Sequence, residues 1–115
     1  MNTQTIPDLT IDKIDMFFEA LEVCAFKAEQ DYDFYSFFCK TPGIFSKDIL
    51  LKNTIMTLSK NLIEATIPFT IQLNNWNRLK LHTKQKERIK VARELIVKIK
   101  IASSAISKLI PINNK

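Results

Sequence analysis

Glycine is all but absent from this chain, at one residue in 115, and proline occurs only four times. An all-β chain needs a turn signal roughly every 8–12 residues, so a sheet architecture is excluded and long helices joined by few loops remain. A single glycine also excludes the glycine-rich phosphate cradles, and no GxSxG elbow can be written with it. One histidine rules out a two-histidine metal site within a single chain. Cys24 and Cys39 form no CxxC or Cys/His ligand spacing and read as buried thiols of a reducing compartment rather than as a disulfide. Asp31 and Asp33 flank Tyr32, but residues two apart on a helix point to different sides, so no metal site is expected. No run of about 18 uncharged apolar residues occurs, and the opening MNTQTIPDLTID lacks the basic flank and apolar block of a signal peptide. Together these absences predict a soluble, cytoplasmic protein with no cofactor, no membrane span and no catalytic chemistry.

What is present is helical periodicity. The run from Thr83 to Ile110 places Ala92, Leu95, Ile99, Ala102, Ile106 and Leu109 on one face at alternating steps of three and four, a core-facing stripe. Val97 and Ile101 sit on the opposite side among lysines. A solvated face has no need of two β-branched apolar residues, so this helix is either wrapped by neighbours or presents Val97 and Ile101 to a partner as a second, basic and apolar interface. At the other end, Thr10 is predicted as an N-cap for a helix over about 10–39. There Ile11, Ile14, Phe18, Leu21, Ala25, Ala28, Tyr32, Tyr35 and Cys39 repeat at the same spacing. Met16, Val23, Phe26, Phe34 and Phe37 lie off that stripe. Either a wide core uses them, or they form an oligomer interface. Thr41, Pro42 and Gly43 predict a turn, and Ser46 the cap of a second helix with Ile55, Leu58, Leu62 and Ala65 inward. Pro68 is expected to end that helix and to open a third over about 68–81. Thr83 is read as the cap of the last. The expected fold is all-α: an antiparallel four-helix bundle with long first and last helices. Its domain plan is a leader over 1–9, one domain of a size that buries a core over 10–110, and a frayed tail over 111–115.

Charge is unevenly spread. The chain carries a net +5, but residues 1–39 hold eight acidic and two basic side chains, and residues 78–100 hold nine basic and two acidic. One reading is a basic face for phosphates: Arg78, Lys80, Lys84, Lys86, Arg88, Lys90, Arg93 and Lys100 would contact a nucleic-acid backbone, with Asn74, Asn75, Asn77 and Trp76 as accessory contacts to a single strand, although Trp76 continues the Phe69 and Leu73 stripe and reads first as core. The opposing reading is that the acidic first helix lies beside the basic last helix and neutralises it.

Two local patterns resemble known families. Arg78 and His82, with three residues between them, resemble the Arg-x4–6-His signature of the HEPN helical ribonucleases, one residue short. That resemblance implies a paired site formed on dimerisation. The segment NLIEA, Asn61 to Ala65, together with small size and positive charge, resembles the basic four-helix bundles that act as accessory variability determinants in diversity-generating retroelements. It implies a ring-forming, non-catalytic nucleic-acid-binding subunit. The residues themselves, poor in nucleophiles and acid/base pairs, predict binding rather than turnover. The expected function is attachment to nucleic acid as an accessory subunit of a nucleoprotein assembly, self-association included. The alternative is a protein-interaction module of the adaptor, inhibitor or immunity type.

Overall fold

The structure, a computed structural model, describes residues 10–40 and 49–109. A 3-10 turn, Ile11–Lys13, leads into α1, Ile14–Lys40; α2 runs Ile49–Trp76 and α3 runs Thr83–Ser107, with no strand among the described residues. The predicted leader, the Thr41 to Gly43 turn, the Ser46 cap and the tail lie outside the described residues. All-α is therefore observed, and the described residues form three α-helices, not four.

The missing break is at Pro68, which stands inside α2. Proline in a helix interior removes one amide donor and costs about 3 kcal/mol. That local cost is outweighed by tertiary contact. Leu62, Thr66, Leu73 and Trp76 are buried on one continuous stripe across the proline, which itself is exposed. Each fully buried large apolar side chain contributes about 1.5–3 kcal/mol, so Leu73 and Trp76, fixed by keeping the helix in one piece, offset the lost hydrogen bond. Phe17 of α1 closes this end of the core, edge-on to Phe69 and to Trp76 with ring centroids 5.2 and 4.9 Å apart.

The last helix is the central one: α3 packs extensively on both α1 and α2, which scarcely approach each other. Its direction follows from paired residues. Asp15 reaches Arg88 at 3.3 Å and Glu29 reaches Lys98 at 3.8 Å, so α1 and α3 run parallel. Ser59 meets Ser103, and Asn74 meets Arg93, so α2 is antiparallel to both. First and last helices are neighbours, as a bundle requires, but side by side in the same direction.

Contact with two helices widens the inner face of α3. Ile89, Ile96 and Ser103 are buried alongside the expected Ala92, Ile99, Ala102 and Ile106, while Leu95 and Leu109 are only half-buried. Ser103 can be buried because it is satisfied. Its hydroxyl donates to the Ser59 carbonyl at 2.7 Å, and the Ser59 hydroxyl donates to the Ser103 carbonyl at 2.9 Å. Two small side chains thus allow α2 and α3 to approach closely and bond reciprocally across the contact.

The start of α3 departs from expectation by one residue: His82, not Thr83, is its N-cap, and the Gln85 side chain accepts the His82 amide at 3.2 Å. No acidic residue lies in the first turn of α3, where a helix dipole favours one. Because α1 runs parallel, its own first turn lies alongside, and Asp12 and Asp15 border the same groove as Lys84 and Glu87. Carboxylates of the 3-10 turn and of α1 therefore border the N-termini of both helices. At Asp12 the Thr10 hydroxyl hydrogen-bonds the carboxylate and, as the main cause, holds its pKa below the usual value.

Candidate interaction surface

The eight basic residues expected to form one strip are divided by the packing. Arg88 faces α1: its guanidinium bonds Asp15 and lies 5.0 Å above the centre of the Phe18 ring, a cation–π distance. Arg93 turns to the α2 edge, where it donates to the Asn74 side-chain oxygen at 3.2 Å. Lys84 borders the α1–α3 groove near the two N-termini. Arg78 and Lys80 are exposed on the connection between α2 and α3. Lys86, Lys90 and Lys100 are exposed, and among the described residues none has a carboxylate within 4.0 Å. Neutralisation by α1 is thus confined to one edge of α3, at Arg88 and at Lys98.

At 100° per residue, Lys86, Lys90, Val97 and Ile101 fall within about 60° on the face of α3 turned from the core. Val97 is 53 % exposed and Ile101 64 %. Both interface residues expected from the sequence are therefore open, and the surface they occupy is part apolar, part cationic.

A comparable surface runs along α1. Met16, Val23, Phe26, Phe34 and Phe37 are each more than half exposed, on the side opposite the helix's buried stripe. Three phenylalanines, at roughly 150–250 Å² per aromatic side chain, leave on the order of 300 Å² of ring in water. Glu19 lies among them, exposed and with no cation within 4.0 Å among the described residues.

The two surfaces border one groove. A depression of 350 Å³ between α1 and α3 is lined by Glu29, Tyr32, Asp33, Lys98, Ile101, Ala102 and Ala105. Ile101 and Asp33 come from the outer edges of their helices, so both outer faces lie on the same side of the molecule, turned from α2. That helix carries its own exposed apolar row, Met56, Ile63, Ile67 and Ile71. The 3-4 spacing of these four was available in the sequence, and the expected break at Pro68 obscured it.

Chemistry is sparse. Among the described residues no group of three His, Cys, Asp or Glu side chains is placed to hold a metal. Asp31 is tied to Lys27 at 2.8 Å, the chief reason that the Lys27 pKa is raised. Cys24 and Cys39 are free and half-buried; separated by 15 positions on one straight helix, they are about 22 Å apart and cannot bridge. Burial pushes both thiols up. Trp76, 2 % exposed, is core and presents no ring to a base. Arg78 and His82 are exposed, and the His82 amide is engaged in capping. No helix among the described residues is long and apolar enough to cross a membrane.

Comparison with family models, with curated proteins and with solved structures returns no match for this chain. The two local resemblances therefore stand on the five residues from Arg78 to His82 and the five from Asn61 to Ala65.

Proposed function

We propose that this protein is a non-enzymatic binding module that docks the face shared by α1 and α3 onto another protein surface. The observation that carries this reading is the exposure of Phe26, Val97 and Ile101, all more than half open to solvent, on the outward sides of α1 and α3, with Ile101 lining the groove between the two helices. Monomeric proteins seldom leave contiguous apolar patches above a few hundred Å² in water. Apolar centres rimmed by charge are the usual anatomy of protein interfaces. Ile101→Asp tests the reading: it removes the docked species, read as native mass by light scattering, and leaves the helical CD spectrum intact. Global unfolding of that variant would make Ile101 ordinary core and remove the reading.

A second reading, attachment to a nucleic-acid backbone within a nucleoprotein assembly, is favoured by the open charge of Lys86, Lys90 and Lys100. Arg88 and Arg93 already have partners and weaken it, and Val97 and Ile101 interrupt the strip. Backbone contacts release counterions, so a true phosphate site gives binding of mixed RNA or DNA that falls log-linearly with salt. Lys86→Glu, Lys90→Glu and Arg93→Glu together would abolish that binding without loss of helix. Absence of binding at low salt ends this second reading.

A further inference from the structure

Resting on the docking-face reading above, we propose that its occupant is a second copy of this chain. The two copies are related by a twofold axis parallel to the helices, so that α1 of each lies on α3 of the other. Asp15 beside Arg88 and Glu29 beside Lys98 set the heights along the two parallel helices, with 14 residues of α1 against ten of α3. Interpolated between these rungs, Glu19 falls within about one residue of Lys90 and Phe26 within about one residue of Val97, offsets of roughly 1.5 Å. Within one chain these pairs lie side by side on the same face and do not confront each other. A half-turn about an axis parallel to α1 and α3 preserves every height and exchanges the two helices across the interface. Glu19 then meets Lys90 of the second copy, Phe26 meets its Val97, and each contact occurs twice.

Charge selects this arrangement over the other face-to-face twofold. An axis across the helices would lay α1 on α1 and α3 on α3, setting carboxylates against carboxylates and lysines against lysines, which is destabilising for close like charges. Area is sufficient as well. Two helices about 37 Å long and some 10 Å apart present roughly 750 Å² per copy, near the standard size of a stable interface.

The test uses the intact chain and charge reversal, followed by light scattering. The wild-type protein is expected at twice the 13.3 kDa chain mass. Glu19→Lys alone, or Lys90→Glu alone, places like charges together at two sites per dimer and is expected to weaken self-association about tenfold. Mixing the two single variants restores both contacts, so the mixture is expected to return to the dimer mass although neither variant does so by itself. A dimer lost on Ile101→Asp but indifferent to both charge reversals and their mixing would overturn this pairing and leave the docking face standing. A dimer untouched by Ile101→Asp would remove the docking face and the pairing with it. A single-chain mass at every concentration, with a mixed-sequence RNA oligonucleotide bound through Lys90, would overturn the proposal in favour of a polyanion.

Discussion

Ile99 and Ile101 are two residues apart on one helix, and their surroundings are opposite: Ile99 is fully buried, Ile101 is 64 % exposed. The inner face of α3 is held by α1 on one side and α2 on the other, whereas its outer face, part apolar and part cationic, has nothing among the described residues laid over it. Hydrophobicity alone does not separate the two isoleucines. Location relative to two packed neighbours does, which makes the inner face a matter of stability and leaves the outer face open for the association proposed above.

The largest effect is expected at Ile99. Replacing Ile99 by Ala should destabilise the chain by about 2–5 kcal/mol, read from the denaturant midpoint, while Val97→Ala on the outer face should move that midpoint far less. Next in size is the Ser59–Ser103 contact, where Ser103→Leu overfills a close helix approach and removes the hydroxyl that donates to the Ser59 carbonyl. About 1–3 kcal/mol should be lost, whereas the same serine-to-leucine change at exposed Ser104 should leave the midpoint within about 0.5 kcal/mol. Pro68 is exposed within α2, so Pro68→Ala should raise stability, by up to about 3 kcal/mol. A fall would mean that the helix uses the proline's bend to aim Phe69 and Trp76.

Arg88 sits where the two faces meet, and Arg88→Ala removes an exposed ion pair and a ring contact at once. Roughly 1 kcal/mol is expected, shrinking in high salt because the Asp15 pair is screened. The smallest effect concerns Cys24, whose thiol burial holds above its ordinary pKa. A group raised in the folded state favours folding below its unfolded pKa and loses that contribution as pH rises through the folded value. Stability should therefore decline slightly on the alkaline side, and alkylation of Cys24 should be slower in the folded than in the urea-unfolded chain.

Much of α1 was legible in the sequence, because Ile14, Phe18, Leu21, Ala25 and Ala28 repeat at the helical spacing and a helix contacting few neighbours buries one narrow stripe. The continuity of α2 was not legible. The penalty of Pro68 is local and visible, while the burial of Leu73 and Trp76 that outweighs it is tertiary. Ser103 could not be placed in the core without knowing that Ser59 stands across from it. The place of Val97 and Ile101 among lysines left open whether neighbouring helices wrap them, and their exposure is decided by α1 and α2 packing on the other sides of α3. Which cations α1 would neutralise did not follow, because that depends on the parallel register placing Asp15 at Arg88 and Glu29 at Lys98.

The outer face of α3 is proposed to be held in reserve for another molecule, and one variant, read in two ways, tests this directly. For Ile101→Asp, far-UV circular dichroism and light-scattering mass are recorded on the same sample. Helicity equal to wild type with the mass reduced to a single chain is the predicted result. Collapse of helicity, or an associated wild-type mass that the variant leaves unchanged, would contradict it.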